Sequence, residues 1–202
     1  MQPEDILDLA RATIRRESAA VEALVDQLDE CFVQAARRLW ACQGHVLVTG
    51  AGTSNAVAAR LAHLLSCCGT PALFIHPGDS QHGLSGAVTG NDILIAISKG
   101  GETIETNHLV GIAKRRGATV IAVTEQPTST LGNLSDLVLR VQAPPAADPY
   151  GMIATGSSLV NAALGDALCV VLLHLRNYTR EAFGETHPGG AVGRKLRGDE
   201  KG

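Results

Sequence analysis

The chain has 202 residues, of which 45% are hydrophobic and 3% aromatic, and its formal net charge at pH 7 is -3. This length supports one sizeable hydrophobic core, so we predict a single globular domain. The acidic balance and the scarcity of aromatic rings disfavour nucleic acid as a partner, because nucleic acid selects basic faces and stacking side chains. No uninterrupted apolar run is as long as a membrane span and no signal-peptide pattern opens the chain, so we expect a cytoplasmic protein that does not bind a membrane.

The first 42 residues have helical periodicity, with apolar residues recurring at three- and four-residue steps. We predict a helical arm over residues 1–42 that is interrupted near residues 15–18. An amphipathic arm of this kind packs either on its own domain or on a second subunit, and the pattern leaves both open.

Strand-like and helix-like segments then alternate along the chain. The predicted strands are short apolar runs at 45–49, 72–76, 92–98, 118–124 and 136–141. Helices are predicted over 55–68 and 102–116, and a long apolar helix over 157–176. Five strands joined by helical crossovers predict an α/β fold with a parallel, doubly wound sheet.

Two further segments are predicted to be irregular. The proline-rich residues 144–149 indicate a stiff, extended connector rather than a domain boundary, because too little chain follows them to form another core. We expect the last residues, 198–202, to be frayed.

The five cysteines have no metal-binding spacing and their number is odd; they are Cys31, Cys42, Cys67, Cys68 and Cys169. Two of them are adjacent on a predicted helix and therefore point to different faces. We predict reduced thiols in or just below the core.

Small polar residues follow the first and third predicted strands, where helices begin. They form the sequences Gly-Ala-Gly-Thr-Ser at 50–54 and Ser-Lys-Gly-Gly-Glu-Thr at 98–103. Parallel strands place their carboxyl ends at one edge of a sheet, so both loops should share that edge with residues 76–82 and 124–130. Helix beginnings offer unpaired amides and the positive end of the helix dipole. The sequence therefore predicts a site for a small phosphorylated ligand.

Two common phosphate-binding signatures are absent. The first loop lacks the third glycine of a dinucleotide fingerprint, because Asn55 occupies that position, and the second strand ends in His76 rather than in an acidic residue. No Walker spacing occurs, which disfavours nucleoside triphosphates. The second loop combines Lys99 with two glycines and hydroxyl groups, and this combination favours a single phosphomonoester.

From Gly44 to Leu196 the sequence resembles the sugar isomerase (SIS) domain, and more narrowly the arabinose 5-phosphate isomerases. The motifs that carry the resemblance follow one another in the family's order, at 50–54, 69–71, 76–79, 82–83, 98–103, 129–131, 165–168, 187–190 and 193–194. The resemblance implies an SIS domain over residues 43–197 with a three-layer αβα sandwich and a five-stranded, flavodoxin-like parallel sheet. It also implies a phosphorylated sugar as ligand and assembly into homodimers or homotetramers.

The resemblance also implies roles for particular side chains. Glu105, His187 and His82 match catalytic positions, and His187 is expected to reach the site across a subunit boundary. His76 matches a position that can hold zinc, as an adventitious or inhibitory ion, although no cofactor is required. The implied substrate contacts are Gly52, Thr53, Ser54, Gly69, Thr70, His76, His82, Ser98, Lys99, Gly100, Gly101, Thr103, Ser157 and Ser158.

Two positions depart from the family pattern. Thr53 stands where the family has a lysine, and Ala146 stands where it has a glutamate. Lys99 and Asp148 are nearby in sequence and are candidates to replace them. These departures bear on which sugar is bound and on whether the chemistry is retained.

Interconversion of an aldose phosphate and a ketose phosphate requires a base that moves the proton next to the carbonyl through an enediol, and a group that polarises the carbonyl. Histidine and glutamate suit both tasks, and we predict an isomerase of this kind. The alternative is a non-catalytic sensor or regulator, because SIS domains also serve in regulators. Residues 1–42 lack a compact basic helix-turn-helix, which favours the enzyme. Longer family members append CBS modules, and we expect a stand-alone domain without them.

Overall fold

The computed structural model describes residues 1–198. Of the end predicted to be frayed, 198–202, residues 199–202 lie outside the described residues. Five parallel strands form one sheet in the order β2-β1-β3-β4-β5. They are β1 (Val46–Gly50), β2 (Ala72–Phe74), β3 (Ile93–Ile97), β4 (Thr119–Thr124) and β5 (Leu137–Arg140). The predicted αβα sandwich with a flavodoxin-like sheet is confirmed.

Helices cover both faces of the sheet and extend from it at the two ends of the chain. They are α1 (Pro3–Glu22), α2 (Glu30–Ala41), α3 (Thr53–Cys67), α4 (Pro77–Ser80), α5 (Ile104–Arg115), α6 (Thr130–Leu134), α7 (Gly156–Leu175), α8 (Arg180–Thr186) and α9 (Gly190–Arg197). The predicted long helices are found with shifts of one or two residues at most ends. The short helices α4, α6, α8 and α9 were not predicted, because a segment of eight residues or fewer is too short to show a clear helical periodicity.

The strands are apolar because both faces of the sheet are covered. Val46 and Val48 of β1 belong to a core shared with α3 and α7, whereas Leu47 belongs to a second core beneath α5. Successive side chains of a strand point to opposite faces, so a strand buried on both sides has no polar alternation. Burial of both faces fixes the register of the strands, and with it the edge of the sheet at which each loop emerges.

The helix α7 is the central helix of the larger core. It is long and apolar enough, by length and composition alone, to cross a membrane. Eight of its residues are nevertheless buried, and it packs against α1, α2 and α3. Burial of one face within the fold explains its apolar composition as that of a core helix.

The predicted interruption of the first helix near residues 15–18 is wrong. The helix α1 is continuous from Pro3 to Glu22, because arginine and glutamate in this stretch favour a helix. The chain turns instead through a 3-10 turn at Val25–Gln27. The carboxylate of Asp29 then accepts a hydrogen bond of 2.8 Å from the amide of Cys31 and caps the start of α2.

The helix α1 packs on α7 but is largely open to solvent. Only Ala20 is buried, and four large apolar residues near its start, Ile6, Leu7, Leu9 and Ile14, are each more than half exposed. An apolar helix surface of this kind is typical of a contact with another chain.

The predicted extended connector at 144–149 is also wrong. The segment forms 3-10 turns at Pro145–Ala147 and Pro149–Gly151. Proline fixes φ near the value that a 3-10 turn needs, so proline-rich sequence supports turns as readily as extension. Asp148 lies between the two turns and is buried, with 3% of its surface exposed.

Candidate functional site

The loops that follow β1 and β3 lie at the same edge of the sheet. Strand order reverses between these two strands, and such a reversal leaves a crevice at the carboxyl ends of the strands. The helices α3 and α5 begin there. The first turn of α7 lies there as well, because Ser158 lines one cleft with Thr53 and Ser54. Three helix beginnings therefore face one region, and each points the positive end of its dipole there.

The cleft between the first turns of α3 and α7 is narrow in this conformation, with a cavity volume of about 20 Å³. Six of its eight lining residues are polar and supply hydroxyl groups and one ammonium group; the eight are Thr53, Ser54, Val57, Lys99, Ala154, Ser157, Ser158 and Asn161. Five of the predicted contacts thus meet at one place. Asn161 was missed by sequence reasoning, although its position one helical turn after Ser157 and Ser158 was a usable signal.

The loop after β3 is held in shape by its own hydroxyl groups. Ser98 Oγ lies 3.0 Å from Thr103 Oγ1 and accepts a hydrogen bond of 3.2 Å from the amide of Gly101. Ser98 is 5% exposed. In this conformation Ser98 orders the loop, while Gly100 is exposed at its tip.

Gly101 is required by both its conformation and its surroundings. Its φ is +71°, in the left-handed region, and a Cβ added there would overlap the side chain of Ser129. Its carbonyl accepts hydrogen bonds of 3.0 Å from Asn107 Nδ2 and from the amide of Leu131. Gly101 thereby joins the loop to α5 and α6.

Lys99 extends from this loop to a buried carboxylate. Its Nζ donates to Asp148 Oδ2 at 2.8 Å and lies 3.9 Å from Glu125 Oε1. Asp148 also accepts hydrogen bonds of 2.9 Å and 2.7 Å from the amide and hydroxyl of Ser157. Burial raises the pKa of Asp148, but the hydrogen bonds from Lys99 and Ser157 outweigh it and hold the pKa below its usual range.

Asp148 is therefore fully engaged. It was a candidate to replace the glutamate that the family pattern has at Ala146. Its charge is compensated by Lys99 and its oxygens are occupied by Ser157, so the geometry assigns it to positioning rather than to proton transfer. Ala146 itself is exposed.

Several buried polar atoms near this edge have no hydrogen-bond partner. Within residues 1–198 they are Thr49 Oγ1, Asn55 Oδ1, Thr106 Oγ1 and Asn107 Oδ1. Thr49 precedes the last residue of β1, and the other three lie in the first turns of α3 and α5. Buried polar atoms are rarely left unpaired in folded proteins, so their concentration at one edge indicates a site for a polar ligand.

Glu105, His76 and His82 also lie at this edge. Glu105 is exposed in the first turn of α5. His76 precedes α4, and His82 follows it; both are exposed. Because α4 packs against α5, the segment that carries the two histidines is next to the helix that carries Glu105.

The ion-pair neighbours of His76 bear on the predicted zinc position. Its Nδ1 lies 3.8 Å from Asp79 Oδ2, and this is its one acidic neighbour among the ion pairs of residues 1–198. In the same described part of the chain, no group of three or more histidine, cysteine or acidic side chains is arranged to hold a metal ion. The zinc assignment at His76 stays a prediction.

Three predicted site residues lie at the opposite edge of the sheet. The helix α3 has 15 residues, so its end is about 22 Å from its beginning. Gly69 follows that end and packs against Tyr178, and the buried hydroxyl of Thr70 accepts a hydrogen bond of 2.9 Å from Arg176. The structure separates these two residues from the cleft and gives them structural contacts instead.

His187 is the third predicted site residue that lies near the end of α3, away from the cleft. Its Nε2 lies 3.6 Å from the sulfur of Cys67, at the end of α3. Within one chain, the predicted catalytic pair of Glu105 and His187 is therefore not assembled. The expected role of His187 across a subunit boundary stays a prediction.

A protein-family model matches the part of the chain that contains the sheet and the cleft. The model of the SIS domain matches residues 39–171, which include β1 to β5 and both loops of the cleft. The chain belongs to the SIS domain family. This confirms the resemblance that the sequence motifs carry.

Curated relatives extend the match to almost the whole chain. Arabinose 5-phosphate isomerase KdsD from Pseudomonas aeruginosa is 38% identical over 192 residues, which are 95% of this chain and 59% of that protein. KdsD from Yersinia pestis is 36% identical over 192 residues, 95% of this chain and 58% of that protein. The chain thus spans less than two thirds of the length of these relatives.

Solved structures agree along their full length. A candidate sugar-phosphate isomerase from Listeria monocytogenes has a TM-score of 0.91 and 37% identity, covering 94% of this chain and 100% of its own. The E. coli CFT073 protein c3406, in complex with arabinose 5-phosphate, has a TM-score of 0.89 and 33% identity, covering 93% of this chain and 100% of its own. The cleft region therefore lies within a fold shared with both.

Replacing either of the two neighbouring glycines in the loop after β3, Gly100 or Gly101, by alanine should change stability to different extents. Gly101→Ala should destabilise the protein by about 2 kcal/mol or more, because the left-handed conformation and the overlap with Ser129 both oppose a Cβ. Gly100→Ala should change stability little, since nothing lies within 4 Å of its added Cβ. Urea unfolding of both variants measures the difference; equal stabilities would contradict the loop geometry.

Asp148→Asn should destabilise the protein by about 1–3 kcal/mol at pH 7, because Lys99 loses its charged partner. The folded-state pKa of Asp148 is lowered, so its contribution is present above the unfolded pKa of about 3.9 and is lost as pH falls through the folded value. The variant should therefore lose less stability than wild type between pH 5 and pH 2. Urea unfolding across this range tests it, with the exposed Asp26→Asn as control. Parallel curves for wild type and Asp148→Asn would contradict the assignment.

Proposed function

We propose that this protein is an aldose–ketose isomerase that acts on a phosphorylated sugar such as arabinose 5-phosphate. The observation that carries the proposal is the cleft at the first turns of α3 and α7, where Thr53, Ser54 and Ser158 lie beside Lys99. The names of the KdsD relatives and the arabinose 5-phosphate complex of the E. coli protein support the same substrate class.

The phosphate of the sugar binds at the helix beginnings. Amides of the first turns of α3 and α5 and the hydroxyl of Ser54 supply hydrogen bonds, and the helix dipoles add positive potential. Lys99 supplies the one ammonium group of the cleft lining. Because Asp148 already compensates that charge, the amides and hydroxyls contribute most of the phosphate affinity.

Proton transfer falls to Glu105 and His187. Glu105 lies beside the phosphate loop and takes the proton next to the carbonyl, while His187 polarises or protonates the carbonyl oxygen, giving an enediol. His82, in the exposed segment after α4, holds sugar hydroxyls. These steps use side chains alone, so we propose that no cofactor is required.

A second copy of the chain completes this site. Since His187 lies near the far end of α3, it serves the cleft of a neighbouring subunit rather than its own. The exposed apolar residues of α1 provide a surface on which copies assemble as dimers or tetramers. We also propose a cytoplasmic location, which suits five cysteines that form no disulfide.

A second candidate is a protein that binds sugar phosphates without converting them. The observation in its favour is the replacement of two polar family positions by Thr53 and Ala146. The cleft and its helix beginnings serve binding equally well in this case. Turnover separates the two candidates, because only the isomerase exchanges a carbon-bound hydrogen.

Incubation with arabinose 5-phosphate in deuterated water should yield the ketose phosphate and incorporate one deuterium at carbon. Glu105→Gln should reduce turnover by about 10²–10⁴-fold, because it removes a proton-transferring group, and should leave binding nearly intact. NMR measures exchange and calorimetry measures binding. Glu102→Gln is a matched control, since Glu102 instead caps α6 through Thr130. Binding of several sugar phosphates without exchange would favour the second candidate.

The shared site predicts complementation between inactive variants. Co-expressed Glu105→Gln and His187→Gln chains should regain about a quarter of the wild-type rate in a dimer, because half of the dimers are mixed and each mixed dimer has one intact site. Each variant alone is the control. Activity of the mixture that equals the mean of the two single variants would show that both residues act within one chain.

A further inference from the structure

Cys67 lies between two imidazole rings at the end of α3. His63 and Cys67 are one helical turn apart and share a face of the helix, while His187 approaches from the segment after α8. The sulfur of Cys67 is 3.6 Å from Nε2 of His63 and 3.6 Å from Nε2 of His187. Both distances are within the range of hydrogen bonds that involve sulfur.

The other side of the His187 ring determines how it faces the thiol. Its Nδ1 is 3.0 Å from the carbonyl oxygen of Phe183, and the ring stacks on that of Phe183 with centroids 3.8 Å apart. The hydroxyl of Thr186 also lies 3.0 Å from Nδ1, and it donates its own hydrogen to the carbonyl oxygen of Phe183 at 3.0 Å. Both neighbours of Nδ1 therefore act as acceptors, so Nδ1 carries the hydrogen of the neutral ring. Nε2 therefore presents its lone pair to Cys67, in the order of nucleophile, base and orienting group known from thiol catalysis.

The other four cysteines lack such a partner. Burial raises the pKa of the Cys169 thiol to about 12 and is the main cause that raises the pKa of Cys68. Burial, followed by Asp29, also raises the pKa of Cys31. The thiol of Cys42 donates to the carbonyl oxygen of Asn91 at 3.5 Å. Cys67 thus differs from the rest by facing basic nitrogens.

We propose that Cys67 is a nucleophilic thiol that forms mixed disulfides with small disulfides, with His187 as its base and His63 as a second stabilising imidazole. Nε2 of His187 takes the thiol proton, and the thiolate attacks one sulfur of the disulfide RSSR. The bond between Cys67 and SR forms as the RS–SR bond breaks. The departing thiolate recovers the proton from His187. One disulfide bond replaces another, so no further oxidant or reductant takes part.

The surroundings of Cys67 suit a small reagent. Cys67 is half-buried, whereas His63 beside it is exposed, so the sulfur is reached from the side of His63. The resulting adduct covers Nε2 of His187. If His187 serves the neighbouring cleft, as the proposed function has it, modification of Cys67 withdraws that histidine from catalysis.

Reactivity is tested with 4,4′-dithiodipyridine at pH 7 on the full chain, with peptide mapping of the labelled cysteines. Cys67 should be labelled about tenfold faster than Cys42 or more, and Cys67→Ser should abolish the fast phase. His187→Gln should slow it about tenfold, and His63→Gln should slow it less. Cys42→Ser should leave it unchanged.

Two results would overturn the proposal: a fast phase that survives Cys67→Ser, or one that is unaffected by His187→Gln. The labelling of buried Cys169 reports on unfolding, because it stays slow only while α3 and α7 remain packed. Its rate therefore distinguishes loss of the base from loss of the fold in every variant.

The link to catalysis has a separate readout. Glutathione disulfide should lower isomerase turnover, dithiothreitol should restore it, and the Cys67→Ser variant should be active and insensitive, since a serine hydroxyl can still donate to Nε2. Full activity of the modified wild type would overturn the link to His187. Labelling is measured without substrate, so the failure of the proposed function would leave the thiol experiment intact and readable.

Discussion

The buried carboxylate of Asp148 organises the site. It joins Lys99, on the loop after β3, to Ser157, at the start of α7, through three hydrogen bonds of 2.7–2.9 Å. An ionised group with 3% exposure is tolerated only when it is paired and hydrogen-bonded. The same pairing sets the distance between two helix beginnings, so the shape of the cleft follows from the need to compensate one buried charge.

The parallel sheet separates the two ends of the molecule. Because the strands are buried on both faces, their register is fixed, and each loop is held at one of the two edges of the sheet. The helix α3 spans the distance between these edges. The hydroxyl groups of the cleft and Glu105 lie at the carboxyl edge, whereas His187 lies with Cys67 near the end of α3. A single chain thus divides these side chains between two places, and in the proposed function a second copy of the chain brings them together.

Much of this architecture is encoded locally. The strands are continuous apolar runs, and the loops after them begin helices with glycine and hydroxyl residues. The sheet and the edge at which these loops lie therefore follow from the sequence. The interruption predicted near residues 15–18 is misplaced, because the length of the helical segment indicates a break without locating it, and the residues there favour a helix. The pairing of Lys99 with Asp148 and of Cys67 with His187 joins residues far apart in sequence, and no periodicity reports such contacts.

The exposed apolar residues of α1 have a consequence for behaviour in dilute solution. Ile6, Leu7, Leu9 and Ile14 expose apolar surface to water on an isolated copy of the chain. In the proposed function, His187 of one chain serves the active centre of another. The number of complete active centres then follows the fraction of chains that have assembled. On that proposal, specific activity rises with protein concentration and then levels off. The expression level of the protein would therefore set the activity of each chain.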